Sequence, residues 1–141
     1  MRIYDPNEVI LNIGGADITG YAPGTFISVA MDEDAFKVVI GAAGDVVRSK
    51  SNNRMAALTV TLLQTSPSND LLSTVHNLDQ AGRNGAGVFA IELRDAFDGR
   101  AVFTSGAAWI QKAPDATFGD TDSNRAWTIR IEKLVRFDGG A

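Results

Sequence analysis

Residues 36–78 constrain the fold most, because their apolar positions change from the spacing of a strand to the spacing of a helix. Alternating apolar residues occur in two parts of this stretch, Phe36, Val38 and Ile40 in the first and Leu58, Val60 and Leu62 in the second. Such alternation is typical of strands that bury one face. Between the two parts, residues 49–54 contain no apolar side chain. We therefore expect this segment to form a cationic tip that reaches outward.

The second half of the same stretch predicts one substantial helix over residues 67–81. Pro67 is compatible with the first helical turn, and Asp70 in that turn complements the helix dipole. The apolar residues that follow have helical spacing and form one stripe that should face a sheet: Leu71, Leu72, Val75 and Leu78. We predict that Leu72 and Val75 are buried.

Short alternating segments on both sides of this stretch predict further strands. They begin near Val9, Ile27, Phe89, Arg100, Ala107 and Trp127. The pair Asp98-Gly99 is a hairpin signal, and the change of parity beyond Lys133 indicates a bulge. Many strands with one helix predict a mainly β fold. We expect an antiparallel β-sandwich or barrel over residues 1–141, with one flanking α-helix and a long protruding hairpin-like loop.

Charge and composition exclude several classes of function. The 141 residues include 13 Lys and Arg and 17 Asp and Glu, a formal net charge of -4, so general affinity for nucleic acid is not expected. The absence of cysteine removes disulfides, zinc–thiolate sites and cysteine nucleophiles. The N-terminus lacks the apolar core of a signal peptide, and no segment has the length of a membrane span. We therefore expect a cytoplasmic product without membrane insertion.

Residues that could carry catalysis or bind a metal are isolated or badly spaced. His76 is the only histidine, and local spacing gives it no serine or cysteine partner. The run that starts at Asp120 matches the beginning of a calcium loop, but Arg125 and Ile131 occupy the positions where glycine and glutamate are required. The acidic residues 32–34 cannot all point the same way in an extended chain. We therefore expect no catalytic, cofactor-binding or metal site.

The residues alone leave the role of the polar segment 49–54 open. A charged hairpin tip can serve solubility only, but an exposed pair of strands also offers a surface for pairing with another chain. Two other functions remain as alternatives, a small ligand-binding β-barrel with a cavity inside the sandwich and an enzyme built on the scattered aspartates. A chain that assembles should form rings or polymers, whereas a ligand-binding barrel should stay small at every concentration.

Two runs of the sequence carry a resemblance to a known family. The run GAAGDVVRSKSNNR at residues 41–54 and the run AALTVTLLQTSPSNDLL at residues 56–72 resemble the tail tube proteins of contractile-tailed bacteriophages. The order of early strands, polar segment, helix and late strands is similar over essentially the whole chain. The resemblance implies a fold like that of phage tail tubes and type VI secretion tubes. It also implies that six copies form a ring and that rings stack into a tube.

The same resemblance implies partners and a location. The lumen of such a tube conducts the genomic DNA during infection, without binding it specifically. A contractile tail sheath protein surrounds the tube, and baseplate and terminator proteins are further partners. The protein would assemble in the host bacterial cytoplasm and belong to the tail of the virion, with no enzymatic activity and no cofactor. A paralogue used once at the end of the tube remains an alternative.

The resemblance finally implies two sets of functional residues. In such proteins the loop between the central strands reaches neighbouring subunits, and here this loop corresponds to Val46, Val47, Arg48, Ser49, Lys50, Ser51, Asn52, Asn53, Arg54 and Met55. As a hypothesis, residues 36–48, 55–63 and 125–132 form one sheet whose polar side lines the lumen. The lumen-facing residues would then be Thr59, Thr61, Thr128, Arg130 and Glu132.

Overall fold

The computed structural model describes residues 3–96 and 101–139. In these residues, one α-helix, α1 (Ser68–Ala81), lies between the sixth and seventh of ten strands. The strands are β1 (Val9–Ile13), β2 (Ala16–Asp17), β3 (Ile27–Met31), β4 (Phe36–Ile40), β5 (Val46–Lys50), β6 (Ala56–Leu62), β7 (Phe89–Asp95), β8 (Ala101–Lys112), β9 (Arg125–Ile131) and β10 (Val135–Asp138). The predicted mainly β fold with one helix is confirmed.

Eight of the strands form one antiparallel sheet in the order β2-β1-β7-β8-β9-β6-β3, and β10 also pairs with β8. The long strand β8 carries β7 on one edge and both β9 and β10 on the other. Leu134 turns into the core, as the change of parity beyond Lys133 indicates, but the predicted bulge is wrong, because residues 132–134 are a break between β9 and β10 that keeps the register on β8. The hairpin signal Asp98-Gly99 lies outside the described residues, between the paired strands β7 and β8.

The core lies on the inner side of this sheet. Residues of β6 alternate between buried and half-buried positions, and those of β9 do the same over most of its length. The alternation arises because successive side chains of a strand point to opposite faces. The largest fully buried side chains come from four elements, and they are Leu11, Leu58, Val60, Leu62, Leu72, Ile129 and Ile131.

Helix α1 covers part of the core with its first two turns. Leu72 is fully buried, as predicted, whereas Val75 is half-buried and packs against the edge of the core. The indole Nε1 of Trp127 donates a hydrogen bond to Asn69 Oδ1 at 2.9 Å, which connects the start of the helix to β9. The predicted apolar stripe is wrong at Leu78, whose side chain is exposed. The stripe ends there because the last turn of the helix no longer faces the core.

Strands β4 and β5 form a separate two-stranded sheet, which we call the hairpin (residues 36–50). The predicted buried face of Phe36–Ile40 is wrong, because every residue of both strands is exposed. The chain reverses at residues 41–45, where the amide of Gly44 donates to the carbonyl of Gly41 at 2.9 Å. Gly44 has a φ of 89°, a value that glycine adopts without steric cost, and a short turn of this kind is common in hairpins.

The polar segment 49–54 does not form the outward end of the hairpin, so this prediction is wrong. The distal end is the turn at residues 41–45, and the polar residues lie where the hairpin meets the main sheet. We call this junction the hairpin root (residues 32–35 and 51–55). There the Asp32 amide donates to the Met55 carbonyl at 3.0 Å, and the Ser51 amide donates to the Ala35 carbonyl at 2.8 Å. Polar residues suit the root because the ladder is interrupted there and its backbone groups need other partners.

Replacement of Leu72 tests the packing of the helix. Leu72→Ala should lower the free energy of unfolding by about 2–5 kcal/mol, because a cavity remains where a fully buried side chain is removed. Leu78→Ala is the matched control, since the same change falls on the same helix at a side chain that is 56% exposed. The control should cost only about 0.5 kcal/mol. Urea unfolding followed by circular dichroism measures both, and equal losses would contradict this account of the helix.

Candidate assembly surfaces

The hairpin exposes apolar side chains on both of its faces. One face carries Phe36, Val38, Ile40 and Val46, and the other carries Val39 and Val47. These six side chains are between 42% and 69% exposed. A two-stranded hairpin is marginally stable in water by itself, and clustered apolar surface on a soluble protein indicates a contact site. The hairpin is therefore the first candidate for a surface that another chain covers.

The hairpin also carries positive charge close to its root. Lys37, Arg48 and Lys50 are its cations, and Asp45 at the distal turn is its only acid. The Arg48 guanidinium carbon lies 4.1 Å from the centroid of the Phe36 ring, which is a cation–π contact. This contact holds the guanidinium over the apolar face. The surface therefore combines β-branched side chains towards its distal end with cations towards its base.

An ion pair connects the hairpin root to the main sheet. Arg130 Nη1 donates to Asp32 Oδ1 at 2.9 Å, and Nη2 donates to Asp32 Oδ2, so the contact is bidentate. This hydrogen bonding raises the pKa of the Arg130 guanidinium above its ordinary value. The second acid of the same run, Glu33, accepts a hydrogen bond from Ser51 Oγ at 2.8 Å. Asp32 and Glu33 therefore both hold the root in place. Residues 3–96 and 101–139 contain no group of three acidic or histidine side chains placed to bind a metal.

The main sheet brings four of the five predicted lumen residues onto one side. Thr59 is the register partner of Thr128 in the β6–β9 ladder, and Ala57 is the partner of Arg130. Because residues two apart share a side of a strand, Thr59, Thr61, Thr128 and Arg130 lie on the same side, opposite to the core. We call this side the outer face. The fifth residue, Glu132, follows β9 and is exposed.

The hypothesis that residues 36–48 belong to this same sheet is wrong. β4 and β5 form their own sheet, and the outer face continues from β6 and β9 into β3 and β8 instead. Sequence reasoning also missed Trp109, the register partner of Arg130, which lies half-buried on the outer face. The alternation of Trp109 with the buried Ile110 was the available signal.

The predicted contact segment falls on two different structural parts. Residues 46–50 are strand β5 of the hairpin, and residues 51–55 are half of the root. The predicted contact segment leaves out the partner strand β4, whose Val38, Val39 and Ile40 are as exposed as the valines of β5. The signal was the run Phe36, Val38, Val39 and Ile40, which is apolar on both faces and not on one.

Packed core side chains, Trp127 among them, occupy the described space between the sheet and the helix, where a ligand-binding barrel would need its cavity. The larger concavities are grooves on the surface, for example one of about 490 Å³ beside Phe26 and Phe103. His76 lies on α1 without a hydrogen-bond partner for its Nδ1 atom in the part of the chain that the structure describes. Within that same part, no helix is long and apolar enough to cross a membrane.

The fold and its surfaces define a small antiparallel β protein with one helix and a protruding apolar hairpin. The family model of the bacteriophage PhiTE tail tube protein matches residues 5–137. The chain therefore belongs to this family of phage tail tube proteins. Structural protein ORF10 of Pseudomonas phage KPP10 is 31% identical over 143 residues, and the match covers 97% of this chain and 82% of that protein. The resemblance found in the sequence is thus confirmed, and the chain is a phage structural protein of the tail tube type.

Solved structures of contractile systems share the fold at low sequence identity. A chain of the anti-feeding prophage cap, which terminates the tube, has a TM-score of 0.66 and 11% identity over 99% of this chain and 93% of its own length. A chain of the sheath/tube terminator of the extracellular contractile injection system PVC has a TM-score of 0.64 and 9% identity. The match covers 98% of this chain and 99% of that chain. A chain of the PVC sheath–tube complex has a TM-score of 0.66 and 10% identity. The match covers 96% of this chain and 91% of that chain.

Removal of the Arg130 guanidinium tests the contact between the root and the sheet. Arg130→Ala should lower the free energy of unfolding by up to about 1 kcal/mol, because the ion pair is only partly shielded from water. The loss should shrink at about 1 M salt, where charges are screened within about 3 Å. Arg83→Ala removes an exposed cation that has no partner in the described residues, so it serves as the control in the same urea titrations. A salt-independent loss would contradict the electrostatic explanation.

Proposed function

We propose that this protein is the repeating subunit of a phage tail tube, in which six copies form a ring and rings stack into a channel for DNA. The observation that carries the proposal is the hairpin, which exposes aliphatic side chains on both faces. Burial of such side chains stabilises an assembly by about 25 cal/mol per Å² of apolar surface removed from water. The family match and the shared fold of tube and terminator proteins support the same conclusion.

In this proposal the hairpin and its root form the contact between subunits. The predicted segment Val46, Val47, Arg48, Ser49, Lys50, Ser51, Asn52, Asn53, Arg54 and Met55 contributes, and β4 contributes with it. Val47 and Val39 face each other across the hairpin and supply one apolar face of the contact. The hydrogen bonds of the root fix the position of the hairpin before assembly, which reduces the entropy that docking costs.

The outer face of the main sheet suits the wall of the channel. Thr59, Thr61 and Thr128 are polar and uncharged, so their hydroxyl groups can be hydrated and carry no positive charge that would attract phosphate groups. Arg130 is the cation of this set, and its charge is paired with Asp32. Glu132 adds a negative charge at the end of β9. A wall with no unpaired positive charge in this set does not attract the phosphate groups of DNA, so DNA passes without specific binding.

Ring closure also removes a hazard of the isolated fold. In the described residues, the eight-stranded sheet has edge strands at β2, at β3 and at β10, which pairs only with β8. Free sheet edges invite uncontrolled pairing with other chains, and pairing between neighbours around a ring would cover them. The proposed location is the tail of the virion, after assembly in the host cytoplasm.

The proposed partners are those of a contractile tail. A tail sheath protein would surround the tube, and baseplate and terminator proteins would contact its ends. The PVC sheath–tube complex and the sheath/tube terminator share the fold of this chain, which supports partners of these kinds. The anti-feeding prophage cap shares it as well, so a subunit used once at the end of the tube is the second candidate function.

A charge placed on the apolar hairpin tests the proposed contact. Val47→Asp should raise the critical concentration for tube assembly at least about tenfold, equivalent to about 1.4 kcal/mol per contact, because an unpaired carboxylate would be buried. The folded monomer should be retained, since Val47 is 60% exposed in it. Sedimentation and negative-stain electron microscopy measure the effect.

Val88→Asp is the matched control for this experiment. Val88 is 59% exposed, so the same change falls on a side chain of equal exposure that lies outside the hairpin. The control should assemble like the wild type. If Val47→Asp forms tubes at the wild-type concentration, the hairpin is not the contact surface.

A further inference from the structure

The hairpin and one long loop lie at opposite ends of the same strand. β6 starts beside the root, where Ala56 is the register partner of Ile131, and it ends where Leu62 is the partner of Arg125. Its seven residues separate these ends by about 20 Å. The connection between β8 and β9, residues 113–124, lies beyond the second end, since the Ser123 amide donates to Gln64 Oε1 at 3.1 Å. We call this connection the far-end loop.

The far-end loop presents one large aromatic side chain to solvent. Phe118 is 84% exposed, more than any other large apolar side chain of the described residues. The Arg125 guanidinium lies 5.5 Å from the centroid of the Phe118 ring, and its Nη1 donates to Ser123 Oγ at 2.6 Å. The loop is therefore held in place from behind by Arg125, while the ring itself faces outward.

The far-end loop is also acidic where the hairpin is cationic. It contains Asp115, Asp120 and Asp122 and no lysine or arginine. Lys112 lies 4.0 Å from Asp115, whereas neither Asp120 nor Asp122 has a hydrogen bond or ion pair in the described residues. At the other end of β6, Lys50 of the hairpin likewise has no ion pair in that part of the chain. Both ends thus combine exposed apolar surface with unpaired charge, and the two charges are opposite.

We propose that the hairpin of one copy docks on the far-end loop of the next copy along the tube axis. This inference rests on the proposed tube function and names the surface that receives the hairpin. Phe118 would contact the valine side chains, and Asp120 and Asp122 would pair with Arg48 and Lys50. Because the two surfaces differ and lie at opposite ends, the contact is heterologous, and repeating it produces an open stack and not a closed dimer.

Charge reversal on each surface, and then on both, tests the pairing. Arg48→Glu with Lys50→Glu should raise the critical concentration for tubes by at least about tenfold, and Asp120→Lys with Asp122→Lys should do the same. All four changes in one chain should restore tubes, because the signs are again opposite across every contact. Arg83→Glu, a charge reversal at an exposed cation outside both surfaces, should assemble like the wild type.

The readouts separate this pairing from the tube function itself. Circular dichroism and urea unfolding check that each variant is folded, and electron microscopy measures ring and tube populations. If either two-residue variant forms tubes like the wild type, or if the four-residue variant stays unassembled, the hairpin does not dock on this loop. A wild-type protein that forms neither rings nor tubes would instead overturn the proposed function.

Discussion

The structure depends on one constraint: the hairpin carries apolar side chains but has no hydrophobic core in which to bury them. Strands β4 and β5 pair with each other outside the main sheet, and their valine and isoleucine side chains are exposed on both faces. Exposure of this apolar surface to water is unfavourable, and a hairpin of two strands is only marginally stable by itself. The hydrogen bonds of the root and the Asp32–Arg130 ion pair hold the hairpin in position. Another chain can then cover its apolar side chains.

The main sheet supplies the rigid platform for that arrangement. Its inner side is packed by leucine, isoleucine, valine and tryptophan side chains from several strands, and α1 covers it with Leu72. Packing of this density resists deformation, so the two ends of β6 keep a fixed separation. One end carries the hairpin and the other carries the far-end loop. The same strands present threonines on the outer face, so one platform positions the surfaces for contact and for the channel.

Sequence reasoning predicted the parts of this fold where pattern and burial agree. The alternation in β6 and β9 gave the correct face for Thr59 and Thr128, and the helical spacing gave the burial of Leu72. The alternation at Phe36–Ile40 was misleading, because it identifies a strand without identifying what the strand packs against. The polarity of residues 49–54 predicts an exposed tip, but the chain reverses at Gly44, and these polar residues lie at the root, where backbone hydrogen bonds continue between the interrupted strands. Contacts between copies depend on surfaces of two chains, which the pattern of one chain does not contain.

A cryo-electron microscopy reconstruction of the assembled protein, at a resolution that places side chains, tests the central claim most directly. The account predicts that the hairpin is buried against neighbouring copies and that Thr59, Thr61 and Thr128 face the channel, with α1 directed away from it. A tube in which residues 36–50 remain exposed to solvent, or in which α1 lines the channel, would contradict it.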